Sequence, residues 1–392
     1  MGCKPELRFT EFTDEWEEKR LGNLGNFKNG INKSKEDFGK GYPFINLMDL
    51  FGKNSIYNSK FDLVNVNEKE LEEYCLKQGD VLFIRSSVKR EGVGLTAVIM
   101  ENLENTVYSG FIIRFRELSE FFNLNFKKYC FYTSKFRNSL ISKSSTSANT
   151  NINQQSLNTL KIIFPSLEEQ DKIANFLSNL DEKIYLLEEK LVKWNLYKKG
   201  IIQQIFSQEL RFKDRFGENY SDWAEINLGN LVNIQKGTQL NKDDMIDDGR
   251  YYVLNGGIEP SGFTNNWNTE ENTITISEGG NSCGYVNFNI EKFWSGGHCY
   301  SLTEIDECTN KLFLFQVLKS NEINIMRLRV GSGLPNIQKK DLNKFKILLP
   351  VLKEQEKIAK FLCNVDTKIC GFENKLEKAN KFKKGLLQKM FC

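Results

Sequence analysis

EEQDKIANFLSNLD, at residues 168–181, returns as KEQEKIAKFLCNVD at residues 353–366, 185 residues further along the chain. In both copies the apolar residues follow one another at spacings that alternate between four and three. A sustained 3.5-residue period is typical of a coiled-coil seam rather than of a helix lying on a globule. Since neither helix can bury so narrow a stripe alone, the sequence predicts that the two pair with each other. The predicted seam consists of Ile173, Leu177, Leu180, Ile184, Leu187 and Leu191 in the first helix and of Ile358, Leu362, Val365, Ile369, Phe372 and Leu376 in the second.

Each predicted helix follows a proline that ends a strand-like segment. We expect helices over residues 167–207 and 352–392, and domains over residues 1–166 and 208–351. Antiparallel pairing of the helices closes such a chain as a pseudo-two-fold object. A helix from residue 173 to residue 205 spans roughly 50 Å. After allowance for the overlap of the helices, this length is compatible with the ~34–36 Å between half-sites of two-fold DNA binders.

The similarity extends beyond the helices and makes the chain a tandem repeat. LGNL at residues 21–24 returns at residues 228–231, an offset of 207. Immediately before the helices, NINQQSLNTLKIIFP from Asn151 faces NIQKKDLNKFKILLP from Asn336 at an offset of 185. The change in offset places a net loss of 22 residues in the middle of the second copy.

The two copies keep their ends and differ in their interiors. Within the interior, YSGF from Tyr108 faces WSGG from Trp294 at an offset of 186. Shared boundaries indicate a common architectural role, and divergent interiors indicate that each copy recognises something different. Simple drift after a duplication, the alternative interpretation, would spread the differences evenly.

Composition excludes several classes of protein. The chain has 392 residues, 40% of them hydrophobic and 27% charged, and a net charge of +3, which is ordinary for a folded chain of two or three domains. Any argument for nucleic acid must therefore rest on local charge. The sequence contains no run of apolar residues long enough to span a membrane and no signal core, so we expect a cytoplasmic protein. Nine scattered cysteines and one histidine argue against a disulfide framework and a zinc site.

Each domain is predicted to be an α+β unit. The first reads as short strands and turns followed by a helix over residues 122–141, and the second repeats this order with a helix over residues 310–328. Alternating β-branched and aromatic residues, bounded by glycine and asparagine, favour that class.

Polar loops between these elements are the candidate site. They are IRSSVKREG at residues 84–92, SKSSTSANTNINQQ at 142–155, SEGGNSCG at 277–284 and RVGSGLPN at 329–336. Arginine pairs with guanine, asparagine and glutamine with adenine, and hydroxyls with phosphates or base edges. Solvent also favours polar loops, so each residue is only a candidate. The candidates for DNA contact are Arg85, Ser86, Ser87, Lys89, Arg90, Ser145, Asn149, Asn151, Lys236, Thr238, Gln239, Asn281, Ser282, Ser332 and Asn336.

No catalytic site is predicted. The sequence has no GxxxxGK[ST] phosphate loop, and GGNSCG lacks the context of a dinucleotide site. His298 is more consistent with a structural role than with catalysis. DEK at residues 181–183 resembles a nuclease carboxylate set, but we expect it on the solvated flank of the helix. No nucleophile, base and orienting group come together in the sequence.

In this order the parts resemble the DNA-specificity subunit of type I restriction-modification systems, over essentially the entire chain. The resemblance is carried by LRFTEFTDEWEEKRLGNL at the start, by GDVLFIRSS, by the two segments that precede the helices and by the helices themselves. The helix ends, KKGIIQQIF from Lys198 and KKGLLQKMF from Lys383, complete it.

The resemblance implies two tandem target-recognition domains, each reading one half of a bipartite DNA site, and two long helices that form an antiparallel coiled coil. The helices would set the spacer between the half-sites and dock two methyltransferase subunits. Those partners would methylate adenine N6 with S-adenosylmethionine, and restriction subunits using ATP and Mg²⁺ would join them. The chain itself would hold neither cofactor nor metal and would not be an enzyme.

Two other classes of function remain open at this stage. A purely structural coiled-coil scaffold would not need two elaborate, divergent domains. A stand-alone DNA-modifying enzyme would need a carboxylate cluster with lysine or an adenine-clamping Asn/Asp-Pro-Pro-aromatic motif, and the sequence has neither.

Overall fold

The chain divides into two compact units. Unit 1 comprises Met1–Glu188 and Asn374–Cys392, and unit 2 comprises Glu189–Glu373. The computed structural model describes residues 4–146, 149–331, 333 and 335–392. Both units combine mixed, mainly antiparallel sheets with helices, so the predicted α+β class is confirmed.

The strands of unit 1 form two larger sheets, a small sheet and a two-stranded pair. In chain order they are β1 (Glu17–Arg20), β2 (Gly25–Asn29), β3 (Phe38–Ile45), β4 (Ser55–Ile56), β5 (Asp62–Val64), β6 (Val81–Ile84), β7 (Ser86–Ser87), β8 (Thr96–Ile99), β9 (Val107–Tyr108), β10 (Ile112–Glu117), β11 (Ser145–Thr146), β12 (Thr150–Asn151) and β13 (Lys161–Phe164). The larger sheets have the orders β2-β10-β6-β8-β4 and β5-β3-β9. Strands β6 and β8 are buried at every position, so they form the centre of the unit.

The helices of unit 1 are short until the last one. They are α1 (Leu47–Leu50), α2 (Glu68–Tyr74), α3 (Lys127–Cys130), α4 (Ser134–Ser142), α5 (Gln154–Thr159) and the long α6 (Leu167–Phe206), which continues into unit 2. Phenylalanines of the central sheet and of the segment around α3 pack edge to face, as Phe83 does on Phe131 with ring centroids 5.3 Å apart.

Unit 2 repeats this plan with fewer elements. Its strands are β14 (Ala224–Asn227), β15 (Asn233–Lys236), β16 (Tyr251–Leu254), β17 (Gly262–Thr264), β18 (Thr273–Ser277), β19 (Val286–Asn289), β20 (Trp294–Ser295), β21 (Cys299–Thr303) and β22 (Lys346–Leu349). Its sheets have the orders β15-β21-β18-β19 and β17-β16-β20. Its helices are α7 (Lys311–Ser320), α8 (Glu322–Met326), α9 (Lys339–Asn343) and the long α10 (Leu352–Lys389), which continues into unit 1.

Most of the 22-residue difference between the copies lies in one connection. Between its strands β3 and β6, unit 1 carries α1, β4, β5 and α2 over residues 46–80. In unit 2 the equivalent connection, residues 255–272, is described throughout and contains β17 as its only regular element.

The two predicted long helices inside the domains are broken, which corrects the expectation from sequence. Over residues 122–141 the chain forms α3, a turn and then α4. Thr133 has extended backbone angles and its hydroxyl accepts a hydrogen bond from Phe136 N, so it caps a new helix. In unit 2 the segment 310–328 is interrupted at Asn321, where α7 ends and α8 begins.

The first turn of each long helix contains a buried glutamate, and the contacts of this glutamate are the same in the two units. In unit 1, Arg8 Nε and Nη2 each donate to Glu169 at 2.7 Å, and the indole N–H of Trp16 donates to the same carboxylate at 3.3 Å. Glu169 is 1% exposed. The Arg–carboxylate geometry is bidentate, the strongest form of this pairing.

Unit 2 contains the equivalent set. Arg211 Nε and Nη2 donate to Glu354 at 2.8 and 2.9 Å, and Trp223 Nε1 donates to it at 3.2 Å. The following glutamine is also fully buried in both units: Gln170 and Gln355 each donate to the carbonyl of the proline five residues earlier. These contacts tie the first turn of each helix to its own unit.

In unit 2 the long helices run antiparallel. The rings of Trp194 and Phe372 lie 6.3 Å apart, and one turn later Lys198 Nζ lies 2.6 Å from Asp366 Oδ1. Residue numbers thus rise along one helix as they fall along the other, which agrees with the predicted antiparallel coiled coil.

In unit 1 the equivalent ion pair joins Asp181 Oδ1 to Lys383 Nζ at 2.5 Å, and Tyr129 donates its hydroxyl proton to Asp181 Oδ2 at 2.8 Å. The prediction of a solvated flank is therefore wrong for Asp181, whose side chain is half-buried between three elements, and agrees with Glu182 and Lys183, which are exposed.

The first seam positions of each helix pack into the core of their own unit. Ile173 and Leu177 join Trp16 in the main core of unit 1, together with the adjacent Ala174. The apolar stripe is therefore wider here than a coiled-coil seam. The buried seam positions are Ile173, Leu177, Ile184, Ile358, Leu362, Val365 and Ile369, and the half-buried ones are Leu180, Leu187, Leu191, Phe372 and Leu376.

Within the described residues, no helix is both long enough and apolar enough to traverse a lipid bilayer.

Candidate nucleic-acid interface

A three-stranded sheet gathers the candidate residues of unit 1. Strand β12 pairs with β11 on one side and with β7 on the other, so that Asn151 lies opposite both Ser145 and Ser86. Two loops that are distant in sequence thus form one polar surface. Thr150, beside Asn151, is buried and pairs with Ser87, which holds the two loops together.

Arg85 lies where the central sheet passes into this small sheet. Its backbone carbonyl accepts a hydrogen bond from Ile152 N, and its backbone N–H donates to Phe111 O. Its guanidinium Nη1 donates to Gly110 O at 3.2 Å. These bonds fix the side chain at the edge of the unit, half-buried.

Beside the small sheet lies a largely apolar cleft of about 470 Å³. Val88 and Phe111 line it and are 85% and 57% exposed. Its polar lining includes Lys89 and Asn149, while Arg90 lies on the surface in the short turn Arg90–Gly92. An exposed apolar wall between hydrogen-bonding groups suits a base edge, because the thymine methyl is read by apolar contact.

The candidates of unit 2 lie on three connections that meet at Glu278. Lys236, at the end of β15, places its Nζ 2.6 Å from Glu278 Oε1. Asn281 and Ser282 lie in the turn that follows β18, three and four residues after Glu278. Asn336 forms a bridge to Gly279, the residue after Glu278.

The other two candidates of this unit lie on the connection that follows Lys236. The backbone N–H of Thr238 donates to Ser295 O at 2.9 Å, and its carbonyl accepts the indole N–H of Trp294 at 2.8 Å. Gln239 follows it and is exposed. The remaining candidate, Ser332, lies outside the described residues.

Glu278 was not among the sequence candidates, although it lies inside the SEGGNSCG loop. It is 8% exposed. Its Oε1 accepts hydrogen bonds from Lys236 and, at 3.2 Å, from the Tyr300 hydroxyl. Burial, followed by the charge of Glu278, raises the pKa of Tyr300 to about 12, so this hydroxyl keeps its proton as a donor.

The second carboxylate oxygen of Glu278, Oε2, differs from Oε1 in its hydrogen bonding. Oε2 is buried, and no hydrogen bond reaches it from any residue that the structure describes. His298 Nδ1 lies 3.4 Å away, and the imidazole is 61% exposed. The histidine thus faces solvent, with one ring nitrogen 3.4 Å from a buried carboxylate oxygen, rather than serving as a core residue.

Backbone pairing corrects the register of the two copies in this region. Val107 pairs with Phe44 in unit 1, and Trp294 pairs with Val253 in the equivalent parallel pair of unit 2. The structural offset is therefore 187, and the offset of 186 suggested by the shared Ser-Gly letters is wrong. The connections to the next strand, residues 109–111 and 296–298, are equally long, but the shared Ser-Gly letters lie one residue earlier in unit 2 than in unit 1.

With the corrected register, equivalent positions carry different chemistry. Arg85 N donates to Phe111 O, and Glu278 N donates to His298 O, both at 2.9 Å. Arginine in unit 1 thus corresponds to glutamate in unit 2, and the exposed Phe111 to the exposed His298. Structural alignment of the two copies identifies Glu278 and His298. Matching the sequence letters alone pairs Phe111 with the residue before His298.

The described residues contain no group of three or more histidine, cysteine, aspartate or glutamate side chains placed to hold a metal ion. The arrangement offers hydrogen-bond donors and acceptors on two equivalent edges, which is suited to recognition.

Comparison with known proteins supports this interpretation. The family model described as the type I restriction modification DNA specificity domain matches residues 13–193 and again residues 220–380. A protein of Mycoplasma pneumoniae named as a type I specificity subunit is 36% identical over 173 residues, which span 44% of this chain and 46% of that protein. A protein of Methanocaldococcus jannaschii named as a type I restriction enzyme specificity subunit is 27% identical over 96% of this chain and 93% of its own length.

Among solved structures, the type I restriction-modification S subunit from M. genitalium matches with a TM-score of 0.66 at 20% identity, over 100% of this chain and 99% of that one. This likeness shows a shared fold. The chain spans about half the length of the first curated relatives that it matches. Because the family model matches most of the chain, once in each copy, the chain belongs to the type I restriction-modification DNA specificity family.

Proposed function

We propose that this chain is the sequence-specific DNA-binding subunit of a type I restriction-modification complex. The observation that carries the proposal is the repeat itself: two copies of one recognition fold, both matched by the DNA specificity model, present different polar side chains at equivalent positions. Two such edges suit a bipartite, asymmetric DNA site with one half read by each unit.

The chemistry of the two edges supports base reading. Arg85 offers the forked donors that pair with guanine, and Asn149 and Asn151 offer the amide groups that pair with adenine. Lysines and hydroxyls beside them suit phosphate contacts, which set the register on the duplex without reading sequence. A net charge of +3 is compatible with this, since only the reading edges need a local excess of donors.

The long helices have two roles in the proposal. Their paired length sets the unread spacer between the half-sites, and their exposed faces dock two methyltransferase subunits. Those partners methylate adenine N6 with S-adenosylmethionine, and the target base leaves the stack in their active site. Restriction subunits that use ATP and Mg²⁺ complete the assembly. This chain contributes recognition without catalysis, holds no cofactor or metal of its own, and acts in the cytoplasm.

Single-molecule sequencing of adenine methylation tests the proposal directly. The chain is expressed with its methyltransferase partner in cells that lack other adenine methylation, and the methylated motif is read from the genome. We expect a bipartite motif with a fixed spacer, absent when this chain is omitted.

Purified protein provides a second test. Affinity for the motif DNA is expected to fall steeply with salt, because lysine and arginine contacts release counterions from the phosphates. A continuous motif, or methylation that persists without the chain, would contradict the proposal. Either result would favour the scaffold or the enzyme alternative instead.

A further inference from the structure

We propose that His298, oriented by Glu278, is a specificity-determining residue of unit 2, with Nε2 accepting a hydrogen bond from the exocyclic amino group of a base in the major groove. The inference rests on the proposed function and deepens it. It names the residue pair and the chemical class of base, adenine or cytosine, at one position of one half-site.

The carboxylate is held rigidly. Lys236 Nζ at 2.6 Å and the Tyr300 hydroxyl at 3.2 Å both donate to Glu278 Oε1, and Tyr300 also lies 3.0 Å from Ile337 O. The backbone N–H of Glu278 donates to His298 O at 2.9 Å. Hydrogen bonds thus hold both the side chain and the backbone of Glu278. They fix the direction in which Oε2 points.

Oε2 is the buried oxygen that lacks a hydrogen bond among the described residues, and a buried carboxylate oxygen without a donor is costly. The group placed to supply one is His298 Nδ1, 3.4 Å away. A carboxylate only accepts, so the ring proton belongs on Nδ1. The same arrangement fixes ring nitrogens in metal sites, where a carboxylate sets the tautomer of a histidine.

In its neutral form, with the proton on Nδ1, the imidazole presents the lone pair of Nε2 to its surroundings. The side chain is 61% exposed, on the edge that carries the other candidates of unit 2. In the major groove, adenine N6 and cytosine N4 are the amino donors, whereas guanine and thymine present acceptors. An acceptor at this position therefore favours adenine or cytosine.

Unit 1 supports the assignment by contrast. At the equivalent positions it has Arg85, a donor, and Phe111, which has no hydrogen-bonding side chain. The two units thus present opposite hydrogen-bonding polarity from one backbone framework, as an asymmetric target requires.

The test uses the full chain with its methyltransferase partner and reads the methylated motif in cells. His298→Phe places the residue of unit 1 at the same position and removes the acceptor. We expect one position of one half-site to lose its preference for adenine or cytosine, with the other half-site unchanged. Glu278→Gln removes the charge that sets the tautomer, and we expect the same position to relax.

Two further variants separate reading from folding. His298→Gln keeps an acceptor and is expected to retain the wild-type preference. Glu307→Gln changes an exposed carboxylate beyond the opposite end of β21 and is expected to leave the motif unchanged. An unchanged motif in both His298→Phe and Glu278→Gln overturns the inference, as does relaxation at a guanine or thymine. A wild-type chain that yields no bipartite motif overturns the proposed function instead.

Discussion

Arg85, a candidate for base contact, is held in place by hydrogen bonds to the backbone around it. Its Nη1 donates to Gly110 O, and its peptide group bonds to Phe111 and Ile152. Arg85→Ala should weaken binding to the specific site by about 1–3 kcal/mol, the cost of one bidentate base contact. Fluorescence anisotropy on motif DNA and on scrambled DNA measures this. Equal loss on both DNAs would make Arg85 a phosphate contact, and Arg20→Ala, at an exposed position of β1, is the control.

Glu169 is a residue whose role is stability. It is 1% exposed and accepts both arms of the Arg8 guanidinium. Removing one member of a buried pair leaves the other uncompensated, so Glu169→Ala should lower the free energy of unfolding by about 3 kcal/mol. Urea denaturation checks this. Glu18→Ala breaks the exposed pair with Lys161 and should cost less than about 1 kcal/mol. Equal effects would contradict the assignment.

The ion pairs between the long helices belong to the scale of the element. In unit 2, Lys198 and Asp366 are 2.6 Å apart and about one-third exposed. Asp366→Lys places two like charges together and should lower the melting temperature. The double variant Lys198→Asp with Asp366→Lys restores opposite charges, so it should recover most of the loss. No recovery would show that the pair contributes nothing to helix pairing.

The helix seam is open to a stronger test. Val365 is 4% exposed and Leu180 is half-buried against the core of unit 1. Aspartate at either position buries a charge without a partner, at a cost of several kcal/mol. We expect lower stability and loss of binding to DNA with the original spacer, measured by circular dichroism and anisotropy. Lys183→Asp changes an exposed position of α6, the helix that contains Leu180. It should lower neither the stability nor the binding to DNA. Unchanged binding by Val365→Asp would refute a role for the helices in setting the spacer.

At the scale of elements, sequence predicts the long helices well because a 3.5-residue period repeats without a slip. It fails where a short local signal decides, as at Thr133, whose cap divides the helix expected over residues 122–141. It also fails at Glu169 and Gln170. Beside lysine and aspartate these look solvated. Glu169 is buried because Arg8 and Trp16 reach it from more than 150 residues away, and Gln170 is buried because it bonds to the segment around Phe121, 49 residues away.

At the scale of the whole molecule, the repeat is the feature that sequence reveals most directly, since matched boundary segments need no side-chain detail. The candidate loops are also recognisable, because their polar composition is local. The contacts between residues within the site are not recognisable from the sequence. Lys236 reaches Glu278 across 42 residues, and the shared Ser-Gly letters, displaced by one residue from the structural register, hide the correspondence between His298 and Phe111.

Exchange of a whole domain tests the division of labour between the units. Both copies agree at their boundaries, which are LGNL at the start and the strand before each long helix. These boundaries bracket the variable interior. Strand β1 pairs with β13 and strand β14 with β22, so each interior is closed by its own two-stranded clasp. Replacing residues 208–351 with the corresponding domain of a homologue exchanges the interior together with its own clasp and leaves both long helices in place. We expect the methylated motif to change in one half-site only, with the other half-site and the spacer retained. The reciprocal exchange of residues 1–166 should change the other half. A motif altered in both halves by either exchange would show that the units do not read independently.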